Sequence, residues 1–193
     1  MNDANKTNTE KSAALYEQAK KLIPGGVNSP VRAFKSVGGV PRYFEKGKGA
    51  YVWDVDGNQY IEYGMGLRAV SLGHAFEPVV QAAYKQMQAG SNFSRVAKIE
   101  MEAADSFLAL VPGADMVKFA KNGSDATTAA LKLARAYTGR DLVAICTDHP
   151  FFSVDDWFIG TTAINRGITA DTQAQTLTFQ YNDLTSIAKL FDQ

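Results

Sequence analysis

The stretch Met116–Arg140, MVKFAKNGSDATTAALKLARAYTGR, constrains the fold more than any other part of the chain. Met116-Val117 and Phe119-Ala120 make a short apolar run that breaks at Asn122-Gly123-Ser124-Asp125. From there Ala126, Ala129, Ala130, Leu133, Ala134 and Tyr137 recur at helical spacing, and Thr138-Gly139 supplies a C-terminal stop. The pattern predicts strand, tight turn, helix. The turn itself has two readings. Asn122 is a good N-cap, with Asp125 three residues on as its reciprocal partner in a capping box. Alternatively, the free backbone N–H groups and the helix dipole behind them receive a phosphate, although Asp125 already places negative charge there.

Other segments alternate helix and strand. Ala13–Ile23 reads as a short amphipathic helix ended by Pro24-Gly25-Gly26. Tyr51–Val55 and Gln59–Tyr63 flank Asp56-Gly57-Asn58, which predicts a β-hairpin. Asp54-x-Asp56-Gly57 lacks the remaining ligands of a calcium loop, so the turn is preferred. Gly64-Met65-Gly66-Leu67-Arg68-Ala69 matches a loose dinucleotide pattern, but no helix and no distant acid follow it. Helices are expected at Glu77–Ala89, with Val79, Val80, Ala83, Tyr84 and Met87 inward, and at Glu100–Leu110. Leu142–Cys146 reads as a buried parallel strand. In open α/β sheets ligands gather at the carboxyl ends of strands, so Phe151 or, in reserve, Phe152 is placed to stack on a flat ring. Residues 153–175 read as a long loop or flap, Leu177–Phe179 as a strand, and Asn182-Asp183 as the cap of a final helix. Asp155-Asp156 reads as a solvated or helix-starting pair rather than an acid/base dyad. His149 has only His74 as a fellow histidine, so no metal site is expected.

Composition narrows the classes. The 193 residues hold 20 Lys and Arg against 20 Asp and Glu, so no basic excess favours nucleic acid or an anionic membrane. The hydrophobic content of 46% suffices for one sizeable core. The single Cys146 excludes an intrachain disulfide, residues 1–12 are polar and lack a signal-peptide core, and no run spans a bilayer. The expectation is a cytoplasmic protein with no nucleic-acid or membrane partner.

Asn122–Ala126, together with Leu133-Ala134-Arg135-Ala136-Tyr137-Thr138-Gly139-Arg140, resembles the class III aminotransferases, and most closely their semialdehyde aminomutase branch. The run Gly25-Gly26-Val27-Asn28-Ser29-Pro30-Val31-Arg32-Ala33-Phe34 is similar to a distinctive segment of that branch. The resemblance implies an α/β fold of the fold-type-I, aspartate aminotransferase-like class, and pyridoxal phosphate (PLP) as cofactor. It implies that Gly123 and Ser124, in the turn begun by Asn122, hold the cofactor phosphate, and that an aromatic at Phe151 or Phe152 lies over the pyridine ring. It implies that Ser29 and Arg32 line the substrate entrance, the guanidinium engaging a carboxylate as bidentate geometry allows. From the residues alone, a solvated loop arginine is the simpler reading.

By the same resemblance, residues 1–12 are a disordered N-terminus, 13–75 an N-terminal helix and hairpin segment, and 76–193 the first part of a large parallel-sheet domain, incomplete here. A lysine that bonds the cofactor and an acid for its ring nitrogen are needed for turnover. Neither family motif occurs, since Lys118, Lys121 and Lys132 sit at strand or helix positions. The expectation is the N-terminal part of a homodimeric enzyme acting on a small amino or carbonyl substrate, silent by itself. Two departures, Gly66–Ala69 where the aminomutases carry an S-W-G-P-like run and Pro150–Phe152 where many have Tyr-His-Gly, leave room for a different class III substrate. A non-catalytic PLP-binding protein, or a fragment without function, is the alternative of another class.

Overall fold

The computed structural model describes residues 7–148 and 152–191 and divides the chain into two compact units, one up to Arg95 and one from Val96 onward. The helix at 77–89 falls within the first unit. That helix follows directly on His74, whose backbone is tied to Gly49 by a reciprocal pair of 2.8 Å hydrogen bonds.

In the first unit, helix α1 (Glu10–Leu22) leads into 3-10 turns at Pro24–Gly26 and Pro30–Ala33. An antiparallel sheet of β1 (Phe44–Lys48), β2 (Tyr51–Asp54) and β3 (Gln59–Ile61) follows, in that order. Asp56-Gly57-Asn58 makes the β2–β3 turn, with Gly57 at φ 89°, as the hairpin pattern requires. The one-turn element α2 (Met65–Arg68) is left-handed: Met65, Gly66, Leu67 and Arg68 have φ of 45°, 55°, 59° and 75°. Three non-glycine residues there each carry about 1 kcal/mol of strain. Glu62 pins the element, its Oε2 accepting from Gly66 N–H at 3.1 Å and lying 3.2 Å from His74 Nε2. Helix α3 (Glu77–Ala89) closes the unit.

Helix α1 starts at Glu10, inside the stretch expected to be disordered, because the hairpin caps it from a distance. Asp56 accepts from Lys11 N–H at 2.7 Å, Ser12 N–H at 3.0 Å and the Ser12 hydroxyl at 2.5 Å. Asp54, 1% exposed, organises the same turn, accepting from the Asp56 and Asn58 N–H groups, the Asn58 amide and the Tyr60 hydroxyl. Burial pushes both carboxyls up, yet these donors together outweigh it and hold each below the ordinary 3.8. A carboxyl depressed on folding stabilises fully above its unfolded value, about 3.9, and ceases to as pH falls through its folded value. The urea midpoint of the first unit is therefore expected to stay level from pH 8 to about 5 and to drop below about pH 4. Asp56→Asn should flatten part of that acid limb, as chemical denaturation at a series of pH values will check.

In the second unit, α4 (Lys98–Leu110), α5 (Gly123–Thr138), β4 (Val143–Cys146), α6 (Asp156–Ile159), α7 (Ala170–Ala174), β5 (Thr176–Phe179) and α8 (Leu184–Phe191) follow in order. Gly139 ends α5 in the left-handed conformation, φ 67°, its N–H donating to Arg135 O at 2.8 Å. Strands β4 and β5 pair in parallel from Val143↔Thr176 to Cys146↔Phe179. Their crossover was expected to be a loop. It instead contains α6 and α7, organised around Ser153, Phe158 and Gly160, all buried. The strand expected at 116–120 is not formed, since a strand needs a hydrogen-bonded neighbour and, among the described residues, β4 pairs only with β5.

The face of α3 expected to lie inward is another correction. Val79, Val80, Tyr84 and Met87 of α3 are exposed, as are Leu133 and Tyr137 of α5, the last at 90%. On α5 it is the side bearing Ser124, Thr128, Leu131 and Arg135 that is partly covered. Two separate compact bodies sharing 20.9 kDa would expose about 11,000 Å². The chain exposes 15709 Å², so its amphipathic stripes mark faces that need cover rather than faces already covered. Among the described residues, no helix is long and apolar enough to cross a membrane.

Candidate functional site

The turn at the head of α5 forms the Asn122 cap and leaves donors free beside it. Asn122 is the N-cap, its Oδ1 accepting from Asp125 N–H at 3.0 Å. The Asp125 carboxylate reaches back at 3.0 Å to the Asn122 side-chain amide, not to the backbone N–H that a standard capping box uses. This cap occupies only the third N–H of the helix. Among the described residues, the Gly123 and Ser124 N–H groups and the Ser124 hydroxyl have no hydrogen-bond partner. A Cβ at Gly123 would meet nothing within 4 Å, so an incoming group can approach the backbone closely. Three adjacent donors at the positive end of a 16-residue helix fit a phosphate, and nothing in the turn fits a cation except the Asp125 carboxylate. Asn122 shapes the turn, while Gly123 and Ser124 carry the free donors.

At the carboxyl ends of β4 and β5 a cavity of about 320 Å³ opens. Cys146, Thr147 and Thr178 line it from the strands, and Phe152, Phe158 and Thr162 from the crossover. Phe152 is 57% exposed and meets Phe158 edge-on, centroids 5.9 Å apart. Phe151, the other candidate for stacking, lies outside the described residues, as do His149 and Pro150. Asp148 braces the strand ends, accepting from Tyr181 N–H at 3.0 Å.

Ser29 and Arg32 belong to the first unit and share one short turn, Ser29 preceding Pro30–Ala33 and its carbonyl accepting from Arg32 N–H at 3.0 Å. The exposed Arg32 guanidinium has no partner among the described residues, so it is available to an anion. Asp155 is a helix starter as expected, the N-cap residue of α6. Sequence reasoning missed its tie to Thr128, whose hydroxyl oxygen in turn accepts from Trp157 Nε1. A tryptophan beside an Asp that opens a helix was the available signal, because a covered indole N–H needs an acceptor. Among the described residues, no three His, Cys, Asp or Glu side chains gather as a metal site would require.

A family model described as aminotransferase class-III matches residues 34–182. The chain is 42% identical over 189 residues to a glutamate-1-semialdehyde 2,1-aminomutase of Chloroflexus aurantiacus, covering 94% of this chain and 43% of that protein. Among solved structures it is similar to the FumI protein of Sphingopyxis sp. MTA144, determined in a PLP form, with TM-score 0.82, 32% identity and coverage of 94% and 43%. It is also similar to an omega-transaminase from Sphaerobacter thermophilus, with TM-score 0.81, 25% identity and coverage of 94% and 44%. The chain thus spans less than half the length of each.

Proposed function

As the chain belongs to the class-III aminotransferase family, we propose that it supplies the phosphate-binding and substrate-entrance part of a PLP-dependent enzyme converting glutamate-1-semialdehyde to 5-aminolevulinate. The observation that carries this is the 42% identity across 94% of the chain to an enzyme named for that reaction. PLP bound here supplies an electron sink for the bond changes next to the migrating nitrogen. The chain's own residues do the holding. Gly123 and Ser124 donate to the phosphate through two N–H groups and a hydroxyl. Phe152 offers an apolar face to the ring, and Ser29 with Arg32 receives a substrate carboxylate. The reading includes a cytoplasmic homodimer; the uncovered faces of α3 and of α5, each in its own unit, support the need for a covering surface. In the full-length protein, glutamate-1-semialdehyde should yield 5-aminolevulinate without an external amino donor. A strict requirement for a donor and an oxo acid would overturn the substrate while leaving the family intact.

A second reading has its own observation. The left-handed element α2, with Arg68 exposed, stands where the aminomutase branch carries an S-W-G-P-like run, which favours a different amino or carbonyl substrate. On either reading, the 193-residue chain alone is expected to show no turnover with PLP present. Lys118, Lys121 and Lys132 are all solvent-exposed, whereas a lysine that shuttles protons is held in a desolvated site. Amino transfer by the purified chain, followed spectrophotometrically, would refute this.

A further inference from the structure

Thr128 lies one helical turn beyond Ser124 on the same side of α5, since residues four apart stack along a helix. Its hydroxyl has one proton and two partners. Trp157 Nε1 can only donate, and it does so to Thr128 Oγ1 at 2.8 Å. The hydroxyl proton is thereby left for Asp155 Oδ2, with which it makes a short hydrogen bond. The direction of both bonds is fixed by these chemistries.

The contacts continue on either side. Asp155 N–H donates to the hydroxyl of Ser153, 1% exposed, at 3.1 Å. The Trp157 carbonyl accepts from Thr176 Oγ1, at the start of β5, at 2.8 Å. The Trp157 ring meets Phe158 edge-on at 5.7 Å, and Phe158 meets Phe152 at 5.9 Å. An unbroken series of contacts therefore joins the helix that presents Ser124 to the side chain of Phe152. Helix α6 has four residues and cannot stand by its own hydrogen bonds, so its placement comes from its neighbours, this series and α7 among them. Hydrogen bonds are directional, so they fix an angle as well as a separation.

We propose that Thr128, Asp155 and Trp157 are positioning residues that set the aromatic segment at Phe152 against the phosphate turn of α5, so that a flat, phosphorylated cofactor is held at both ends. The proposal rests on the PLP reading given above.

The test uses the holoenzyme, the variants Thr128→Val, Thr128→Ser and Trp157→Phe, and two probes, PLP and inorganic phosphate. Valine keeps the branched shape and loses both hydrogen bonds, whereas serine keeps both. Thr128→Val should raise the Kd for PLP about tenfold while the Kd for phosphate, which meets the turn alone, stays within about twofold. The visible circular dichroism of bound PLP, which reports ring orientation, should weaken in parallel. Thr128→Ser should restore both, and Trp157→Phe should fall between. Equal weakening of PLP and phosphate by Thr128→Val, or no change in PLP affinity and dichroism, would overturn the positioning role. If Thr128→Val does not fold, the contrast between Thr128→Ser and Trp157→Phe decides in the same way. If the unsubstituted protein takes phosphate but not PLP, the PLP reading itself fails and this role falls with it.

Discussion

Gly123→Pro is expected to weaken PLP binding by roughly 10- to 100-fold while leaving helix α5 intact. Proline at the first helical position is well tolerated, because its fixed φ suits the helix and the N–H it lacks has no intrahelical partner. The neighbours permit it: Asn122 is extended, φ −152° and ψ 172°, as a residue before proline prefers, and a Cβ at position 123 meets open space. What the substitution removes is one of the three free donors. A hydrogen bond to a charged group contributes about 1.5–3 kcal/mol, which sets the expected range. Ser124→Ala should lose a comparable share through its hydroxyl. Fluorescence titration with PLP, beside a thermal melt, separates the outcomes. Full affinity in Gly123→Pro would show that the phosphate lies elsewhere.

The largest effect on stability is expected from Asp54→Ala, a loss of about 3 kcal/mol, or roughly 10–20 °C for a unit of this size. Alanine would strand the Asp56 and Asn58 N–H groups and the Tyr60 hydroxyl, all now served by one carboxylate that is 1% exposed. Asp54→Asn keeps one acceptor oxygen but turns an amide N–H₂ toward existing donors, so it should recover only part of the loss. The damage should spread to α1, because Asp56 receives that helix only while Asp54 holds the turn. Thermal unfolding of the full-length protein, with hydrogen exchange at Lys11 and Ser12, checks both statements. Unchanged protection at those two amides would show that α1 is held independently.

What could be read from the residues was local. Asp56-Gly57-Asn58 demanded a hairpin turn, Glu77–Ala89 carried its own start and stop, and Asn122 with Gly139 bracketed α5 at both ends. What could not be read depended on partners distant in sequence. Residues 116–120 look like a strand, yet strand character is realised only beside another strand, and the run cannot say which one. On α5 the alanine, leucine and tyrosine stripe has helical spacing, yet its Leu133 and Tyr137 are exposed. The covered side is held by a threonine, because its neighbours are a carboxylate and an indole N–H that need hydrogen bonds. Residues 153–175 gave no period because α6 and α7, of four and five residues, are too short to display one. At the candidate site, Gly123 and Ser124 follow from turn chemistry together with the resemblance, whereas Thr128 and Trp157 emerge only from the contacts between α5 and the crossover.

The distant cap on α1 also bears on the order in which the chain acquires structure as it is made. A 13-residue helix is marginal in water by itself, and the Thr9 side chain makes no cap hydrogen bond. Asn8 Oδ1 accepts locally from Glu10 N–H at 3.1 Å, but the Lys11 and Ser12 N–H groups are served by Asp56, 44 residues beyond Ser12. At a synthesis rate of about 5–20 residues per second, α1 waits roughly 2–9 s for that carboxylate to emerge. Assembly of the first unit therefore runs against the direction of translation: the hairpin sets first, and the segment made earliest docks last.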